Sequence, residues 1–230
     1  MKHRILLILP AYNEEGKIGE LVSKATQVAG VTVLVCADGC TDNTVAEAED
    51  AGAIVSAYPV RKGIGHAIRR GIDYAHENGY ELCCIQGGDN QDDPMEIPRL
   101  VHRLDKGYDL VIGSRYVRGG RSVNQNLFRF VTTKIYSLFF SVMTLHWIND
   151  ASTGFRLFST ETAKGLDLWK DELNGYELEP CFLFDMLTKH RVSEVPATKY
   201  YHLDKSYSKM GAVDFMNIVL PVIRKRFGLL

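Results

Sequence analysis

Short apolar runs alternate with amphipathic segments through the first half of the chain. The runs that predict buried strands are Ile5 to Leu9, Val31 to Cys36, Ala53 to Ser56, Glu81 to Ile85 and Leu110 to Gly113. Apolar residues at helical spacing predict helices over about Glu14 to Val28, Thr44 to Asp50, from Lys62 onward, and Glu96 to Leu104. This alternation, with short connections, predicts an α/β fold: a mostly parallel, Rossmann-like sheet flanked by helices.

Beyond residue 120 the regular alternation ends. The elements predicted there are an apolar helix over Leu127 to Trp147, a loop at Asn149 to Arg156, a helix near Glu179 to Lys189, a strand at Ser193 to Pro196, and a C-terminal helix from about Ala212. No repeat, low-complexity tract or linker interrupts the chain. We therefore expect one domain over residues 1–230, in which the half 119–230 covers a cleft formed by the half 1–118.

Polar clusters follow four of the predicted strands. They are Tyr12-Asn13-Glu14, Asp38 to Asp42, Asp89 to Asp93, and Ser114-Arg115-Tyr116. In open α/β sheets the ligand binds at the carboxyl ends of the strands. The sequence therefore predicts that these clusters meet in one cleft.

The charges of the chain nearly cancel, because 27 Lys and Arg residues accompany 28 Asp and Glu residues. No overall field draws such a protein to nucleic acid, so we expect no nucleic-acid partner. The 5 cysteines lie mostly in apolar runs and lack the spacing of a zinc site. They predict buried thiols and a cytoplasmic location.

Two apolar segments bear on membrane contact. The run before Pro10 is too short for a secretion signal. The segment from Leu127 to Trp147 is interrupted by three basic side chains, Arg129, Lys134 and His146. It therefore predicts an amphipathic helix and not a span. With the basic Arg224-Lys225-Arg226 near the C-terminus, it favours peripheral contact with the cytoplasmic membrane face, the alternative being that both helices pack on the core.

Asp89 and Gln91 are the candidate metal ligands. They offer a carboxylate and an amide oxygen after the fourth predicted strand, and oxygen ligands of this kind suit a hard divalent cation. Asp92 and Asp93 stand close enough to help. The alternative is an acidic turn that only caps the next helix, for which Asp93-Pro94 is well suited.

The other clusters offer contacts for a nucleotide and its phosphates. Tyr12 can pack on a base and Asp38 can accept hydrogen bonds, although each also suits a turn or a helix cap. Lys62-Gly-Ile-Gly65 resembles a phosphate cradle, but two glycines before a helix also serve close packing. Arg115 can pair with phosphate through two N–H groups or belong to a structural ion pair.

Seven motifs carry a resemblance to a known family. They are Pro10-Ala-Tyr-Asn-Glu14, Asp38-Gly-Cys-Thr-Asp42, Lys62-Gly-Ile-Gly65, Gly88-Asp-Asn-Gln91, Gly113-Ser-Arg-Tyr116, Ser152-Thr-Gly-Phe-Arg156 and Glu194-Val-Pro196. Their order and spacing resemble the family 2 inverting glycosyltransferases of the GT-A fold, most closely the dolichyl-phosphate mannose synthase group. The resemblance covers residues 4 to about 211.

The resemblance implies a nucleotide-sugar site in the half 1–118 and an acceptor site in the half 119–230. The residues implied for a UDP- or GDP-sugar donor are Pro10, Tyr12, Glu14, Asp38, Lys62, Gly88, Asp89 and Arg115. Mg²⁺ or Mn²⁺ is implied at Asp89 and Gln91. Arg115 and Lys209 are implied to face the diphosphate and the acceptor phosphate, with Lys205 as a further charge.

Two departures from the family pattern concern the donor site. Relatives have Asp-x-Asp where this chain has Gly87-Gly88-Asp89, so one carboxylate is missing. Either the metal is held more weakly, with water or Asp92 completing its shell, or the donor diphosphate supplies most of the ligands. Ala37-Asp38-Gly39-Cys40 stands where relatives have Asp-Asp-Gly-Ser, which keeps the carboxylate and alters its support.

The implied reaction is a single displacement with inversion at the anomeric carbon. The metal, Arg115 and Lys209 stabilise the leaving nucleoside diphosphate. A polyprenyl phosphate acceptor, dolichyl or undecaprenyl, is already an anion and needs little or no general base. A hydroxyl of a saccharide or small molecule needs a carboxylate, for which Asp150 and Glu179 are the candidates; a structural role in fixing the loop is the alternative for both.

Two other hypotheses stay open. One is a donor-binding protein with impaired catalysis, which Gly87 motivates. The other is a nucleotidyltransferase, which normally has a glycine- and arginine-rich loop where this chain has Ala11-Tyr-Asn-Glu14.

Overall fold

The computed structural model describes residues 2–166, 173–201 and 212–228, with the backbone alone over 212–217. The strands in these ranges are β1 (Ile5–Ala11), β2 (Val31–Asp38), β3 (Ile54–Tyr58), β4 (Leu82–Ile85), β5 (Leu110–Ser114), β6 (Arg121–Val123), β7 (Arg156–Ser159), β8 (Val192–Pro196) and β9 (Thr198–Tyr200). The helices are α1 (Ile18–Ala25), α2 (Thr44–Asp50), α3 (Ile64–Glu77), α4 (Ile97–Leu104), α5 (Leu127–Thr144), α6 (Thr160–Lys164), α7 (Leu178–Lys189) and α8 (Ala212–Arg226). A 3₁₀ turn, Pro94–Glu96, precedes α4.

Seven strands form one sheet in the order β3-β2-β1-β4-β7-β5-β8. The strands β1 to β4 pair in parallel, as do β5 and β8, whereas β7 runs antiparallel to both neighbours. The predicted mostly parallel sheet is therefore confirmed. Strand β7 is a strand that the apolar pattern does not predict, because it is short and follows a polar loop. It lies between β4 and β5 and joins the two halves of the chain in one sheet.

β1 shows why the sheet is buried on both faces. Its side chains alternate, so that Leu6 and Ile8 join one apolar cluster while Ile5, Leu7 and Leu9 join the other. The first cluster includes side chains from α3, α5 and α7, and the second includes side chains from α1 and α4. A continuous apolar run is the pattern that a strand covered on both faces requires.

α1 is shorter than the apolar spacing predicts. The residues before Ile18 form a turn, in which the N–H groups of Lys17 and Ile18 donate to the Glu14 carbonyl. Gly16 has a φ of +77°, which an α-helix excludes, and its N–H donates to the Glu47 carboxylate on α2. The turn leaves Glu14 at the end of β1, beside the cleft.

α5 confirms the predicted long apolar helix. The side chain of Asn126 caps it by accepting from the Arg129 N–H at 2.8 Å, and Leu145 ends it with a φ of +56°. One side of the helix is buried. Among its exposed apolar side chains, six recur three or four residues apart up to the capping residue: Phe128, Val131, Ile135, Leu138, Val142 and Leu145. We call these six the α5 stripe. Within the described ranges, no helix is long and apolar enough to cross a bilayer.

The predicted C-terminal helix is also confirmed, and an ion pair ties it to the core. The Nζ of Lys225 donates to Oδ2 of the buried Asp185 on α7 at 2.5 Å. Val222, one turn earlier, is fully buried in the core cluster that contains α7. The predicted C-terminal basic cluster is thus divided, because Lys225 is engaged within the protein.

The predicted buried thiols are confirmed for Cys36, Cys83, Cys84 and Cys181, whereas Cys40 is partly exposed. All five are free. Burial raises the pKa of Cys36 and of Cys83 to about 12, so these two stay protonated and unreactive near neutral pH.

Candidate functional site

The turns after β1 and β2 are joined by side-chain hydrogen bonds. Oδ1 of Asn13 accepts from the Thr41 N–H at 2.9 Å. The N–H of Glu14 donates to Oγ1 of Thr44, the first residue of α2, at 2.8 Å. Because the parallel strands end at the same edge of the sheet, the predicted donor-binding residues of both turns lie side by side.

Asp38 is buried at the end of β2 and holds a neighbouring loop. Its Oδ1 accepts from the Lys62 N–H and its Oδ2 from the Gly63 N–H, both at 2.7 Å. Gly39 has a φ of +71°, and a Cβ there would lie 2.5 Å from the backbone nitrogen of Arg61, so the close approach requires glycine. Each carboxylate oxygen can accept a second hydrogen bond.

Two cations lie against aromatic rings at this end of the sheet. The guanidinium of Arg61 lies 4.2 Å from the ring centroid of Tyr12, and the Lys62 ammonium lies 4.9 Å from that of Tyr58. Both are cation–π contacts. The sequence analysis predicted Tyr12 and Lys62 as site residues but not Arg61. The position of Arg61 directly before the Lys62 motif is the feature that could have identified it.

The glycines of the Lys62 motif serve close packing. A Cβ on Gly63 would lie 2.4 Å from the Asn174 carbonyl oxygen, and one on Gly65 would lie 2.5 Å from that of Leu173. The N–H of His66, in the first turn of α3, donates to the Asn174 carbonyl at 3.1 Å. The segment from residue 173 therefore packs on the first turn of α3, which favours packing over a phosphate cradle for this motif.

The turn after β4 carries the predicted metal ligands. The N–H of Gly88 donates to the Pro10 carbonyl at 3.2 Å, and a Cβ on Gly88 would meet that oxygen at 3.0 Å, so this turn lies against the end of β1. The N–H of Gln91 donates to Oδ1 of Asp89 at 3.3 Å, which puts both side chains on one turn. Oxygen ligands of this kind suit Mg²⁺ or Mn²⁺.

Asp89 and Gln91 are candidates for two ligands of a divalent ion, because they offer a carboxylate and an amide oxygen on one turn. In the described part of the chain, no group of three or more His, Cys, Asp or Glu side chains is arranged to hold a metal. A hard cation takes six or more oxygens. The remaining ligands must come from outside this set.

Asp92 and Asp93 have other partners. Oδ1 of Asp93 accepts from the Met95 N–H at 3.0 Å and caps the 3₁₀ turn, as the capping alternative predicts. Oδ2 of the buried Asp92 accepts from Nζ of Lys199 at 2.7 Å. Burial raises the pKa of Asp92, and the Lys199 charge opposes that rise. Burial lowers the pKa of Lys199, but the charges of Asp92 and Asp89 outweigh it and hold the pKa above its usual value.

Arg115 follows β5 and is buried in an ion pair with Asp150. Its Nε and Nη2 donate to the two oxygens of Asp150 at 2.7 and 2.6 Å. Nη2 also donates to Ser152 Oγ at 2.6 Å, and Nη1 donates to the hydroxyl of Tyr201. Burial lowers the pKa of Arg115, but the hydrogen bonds and charge of Asp150 more than offset this and raise it above its usual value. Arg115 therefore stays charged.

Asp150 is in turn held by Glu194 on β8. The Asp150 N–H donates to Oε1 of Glu194 at 2.9 Å, and Asn149 donates to Oε2 through its N–H at 2.8 Å and its side chain at 2.7 Å. The motifs around Arg115, Asp150 and Glu194 thus form one connected polar network. Within this network, Glu194 orients Asp150, and Asp150 in turn orients Arg115.

Two cations of α5 extend this network. The guanidinium of Arg129 lies 4.8 Å from the ring centroid of Tyr201, and the ammonium of Lys134 lies 3.9 Å from that of Tyr116. Arg115 itself lies 5.0 Å from the Tyr116 ring. The sequence singled out Arg129 and Lys134 only as interruptions of an apolar run. The feature of the sequence that could have identified them is that both charged residues in the apolar helix are basic.

Glu179 lies apart from this network. Its Oε1 is 3.7 Å from Nη1 of the buried Arg156, and both line a small cavity between α3 and α7. The Arg156 Nη2 donates to the Ala151 carbonyl at 3.0 Å. The structure therefore brings Asp150 to Arg115 and Glu179 to Arg156. Lys209 and Lys205 lie outside the described residues.

Comparisons with known proteins bear on this site. A family model described as Glycosyl transferase family 2 matches residues 6–166. The chain is 31% identical to the undecaprenyl-phosphate mannosyltransferase of Micrococcus luteus, over 96% of this chain and 93% of that protein. It is 29% identical to the polyprenol monophosphomannose synthase of Mycolicibacterium smegmatis, over 95% of this chain and 85% of that protein.

A solved structure has the same fold. It is glucosyl-3-phosphoglycerate synthase from Mycobacterium tuberculosis in complex with Mn²⁺, UDP and glucosyl-3-phosphoglycerate, which matches with a TM-score of 0.75 and 22% identity over 100% of this chain and 81% of that one. The predicted GT-A fold is therefore confirmed. Since the family model spans most of the chain and the motifs lie along one edge of its sheet, this protein belongs to glycosyl transferase family 2.

Proposed function

We propose that this protein moves a sugar, with inversion, from a UDP- or GDP-sugar to the phosphate of a polyprenyl lipid. The observation that carries the proposal is the cationic network around Arg115, because Arg129 and Lys134 connect it to the helix α5, which also carries the exposed α5 stripe. A lipid phosphate combines an anion with an apolar chain, and this surface offers a partner for each part. The names of the two relatives point to acceptors of the same class.

The donor belongs at the ends of β1, β2 and β4, in the half 1–118. Tyr12 packs on the base, and Asp38 accepts a hydrogen bond from the base or the ribose while it orients the loop of Lys62. Pro10, Glu14 and Gly88 shape the same edge. A solved structure of the same fold is a complex with UDP, which supports a nucleoside diphosphate as part of the donor and leaves its base undecided.

Asp89 and Gln91 hold Mg²⁺ or Mn²⁺ in this proposal. A divalent ion neutralises the charge that grows on a diphosphate as the glycosidic bond breaks. Arg115, which is held by Asp150, adds a positive charge in this proposal. Lys209 is proposed to add another. These groups together stabilise the leaving nucleoside diphosphate.

The hydrogen bonds of Asp150 favour a phosphate acceptor over a hydroxyl acceptor. Both oxygens of Asp150 accept hydrogen bonds from Arg115, so Asp150 positions that cation and is poorly placed to take a proton. A polyprenyl phosphate attacks as an anion and requires no base. The half 119–230 then supplies the acceptor side of a single domain.

The α5 stripe supports contact with a membrane that contains the acceptor. Its side chains are widely exposed, for example Ile135 at 61% and Leu138 at 55%. No Asp or Glu occurs from Arg121 to Asn149, so the helix suits an anionic lipid surface. We therefore propose that the protein works at the cytoplasmic membrane face.

A hydroxyl acceptor is the second candidate. The side chain of Glu179 is 25% exposed beside the Gly154 loop, so a base is available there. The solved structure of the same fold contains glucosyl-3-phosphoglycerate, a small anionic molecule, which supports this second candidate.

The test is a transfer assay with defined lipids. Radiolabelled UDP- and GDP-sugars are incubated with Mn²⁺ and either undecaprenyl phosphate or undecaprenol in detergent. We expect labelled lipid from the phosphate alone, with one donor class, and none from Asp89→Ala. Transfer to a soluble hydroxyl acceptor but not to the lipid phosphate would contradict the proposal. Donor binding without transfer to any acceptor would favour a protein with impaired catalysis.

A further inference from the structure

Asp92 directly follows the predicted metal ligand Gln91 in the sequence. In the folded protein its carboxylate forms an ion pair with Lys199. The Lys199 ammonium lies 2.7 Å from Oδ2, and an isolated β-bridge joins the two residues. The Gln86 side chain donates to the Asp92 carbonyl at 2.6 Å. Asp92 is only 4% exposed. Its backbone and its carboxylate are therefore both held in place.

The side-chain carboxylate of Asp89 lies close to the Cα of Gly87. A Cβ on Gly87 would be 3.0 Å from Oδ1 and 3.5 Å from Cγ of Asp89. Gly87 does not have a positive φ, so another residue could stand there after a shift of a few tenths of an ångström. A side chain at position 87 would therefore project beside the Asp89 carboxylate, and the glycine supplies no ligand at that place.

We propose that Gly87 and Lys199 together make divalent-ion binding depend on the donor. The chain binds the ion weakly by itself and strongly once a nucleoside diphosphate adds its oxygens. Lys199 is a positioning residue here, because it acts by keeping Asp92 paired and away from the ion. The inference deepens the proposed function and rests on its diphosphate donor.

The charges lead to the same result. Asp92 and Lys199 carry opposite charges and form a close pair, so Asp92 adds little net negative charge for an ion at Asp89. Attraction between an ion and its ligands scales with their charges, and a hard cation needs more oxygens than Asp89 and Gln91 offer. A diphosphate brings several charged oxygens at once. Binding of the ion and binding of the donor are therefore coupled.

The experiment measures free Mn²⁺ by its electron paramagnetic resonance signal while the full chain is titrated alone, with UDP, and with GDP. We expect a Kd of about 1 mM or weaker without nucleotide. One of the two nucleotides should tighten Mn²⁺ binding at least tenfold. Nucleotide binding is followed separately by calorimetry, so that absence of a donor site and absence of coupling give different results.

Gly87→Asp adds the missing carboxylate and should tighten Mn²⁺ binding at least tenfold without nucleotide. Lys199→Met frees Asp92 and should tighten it severalfold. Because that change leaves a buried carboxylate unpaired, the double variant Lys199→Met, Asp92→Asn provides the check: it should fold and should lose the gain. Lys164→Met removes an ammonium 2.8 Å from Asp73 on another face and should leave Mn²⁺ binding unchanged.

Mn²⁺ binding in the micromolar range by the unliganded wild type would overturn the inference. So would an unchanged Mn²⁺ affinity in Gly87→Asp. If UDP or GDP binds and the Mn²⁺ affinity does not respond, the inference fails while the proposed function stands. If neither nucleotide binds at any Mn²⁺ concentration, both fail.

Discussion

The guanidinium of Arg115 lies side-on against the carboxylate of Asp150, with Nε and Nη2 at 2.7 and 2.6 Å from its two oxygens. Both residues are buried, and the Arg115 N–H donates to the same carboxylate at 3.0 Å. A buried ion pair of this kind costs much to break, because one charge is left without a partner. It holds a cation at the point where the leaving diphosphate is expected.

Asp150→Asn should lower the free energy of unfolding by about 3 kcal/mol, since Arg115 stays buried without its countercharge. Sugar transfer should fall at least tenfold, and the pH at which transfer is half-maximal on the acid side should not move. Urea unfolding and a pH–rate profile measure the two effects. Asp73→Asn, which breaks the more exposed pair with Lys164, should cost about 1 kcal/mol or less. A shifted acid limb in Asp150→Asn would instead identify Asp150 as a general base.

Gly65→Ala should destabilise the protein by about 1–3 kcal/mol, because its Cβ would lie 2.5 Å from the Leu173 carbonyl oxygen. Gly19→Ala is the matched control in α1. A Cβ there meets its nearest neighbour at 3.6 Å, so it should stabilise by about 0.5–1 kcal/mol through helix propensity. Urea midpoints measure both changes. Equal effects of the two substitutions would contradict the close packing of residues 173–174 on α3.

Ile135→Glu with Leu138→Glu should abolish flotation with liposomes that contain anionic lipid. The α5 stripe loses apolar area and gains negative charge, and both weaken binding to such a surface. Ile54→Glu, an exposed apolar position on the edge strand β3, is the control and should still float. Wild-type protein that remains in the bottom fraction would argue against a membrane role for the stripe.

Arg129→Met should raise the KM for the lipid phosphate about tenfold, the effect of losing one hydrogen bond to a charged group. The stabilisation of the protein by nucleotide, measured by thermal shift, should not change. Arg103→Met is the control. It removes another arginine whose guanidinium lies 4.5 Å from a tyrosine ring centroid, that of Tyr108, and it should leave that KM unchanged. A loss of nucleotide binding in Arg129→Met would place this residue on the donor side.

His3→Gln should remove one pH-dependent contribution to stability. The hydrogen bonds to Glu81 and Asp105, at 2.8 and 2.9 Å, raise the pKa of His3, while His3 lowers the pKa of Glu81. The contribution of His3 is complete below its unfolded pKa of about 6.5 and is lost as the pH rises through the higher folded value. That of Glu81 is present above about 4.3 and is lost as the pH falls through its lower folded value.

The difference in unfolding free energy between wild type and His3→Gln should therefore be largest between about pH 4.5 and 6.5. It should shrink toward pH 9. Urea unfolding at several pH values measures it, and the comparison with the variant cancels the titrating groups that do not contact His3. A difference that does not vary with pH would show that the ion pair contributes nothing.

The sequence by itself determined the sheet, its mostly parallel character and the edge that carries the predicted site residues. Continuous apolar runs such as Ile5–Leu9 can be satisfied only by burial on both faces, and the strand ends then carry Tyr12, Asp38, Asp89 and Arg115 to one side. These properties follow from local pattern and connection length. They need no knowledge of which distant segments meet.

The tertiary structure alone decided which charges are paired. Asp92 meets Lys199, Arg115 meets Asp150, and the cations of α5 meet Tyr116 and Tyr201, all across long separations in the chain. It also decided that β7 enters the sheet antiparallel and that Gly63 and Gly65 face a backbone. A single sequence contains no local signal for such pairs. Their energies depend on burial and on ångström distances, which exist only once the chain has folded.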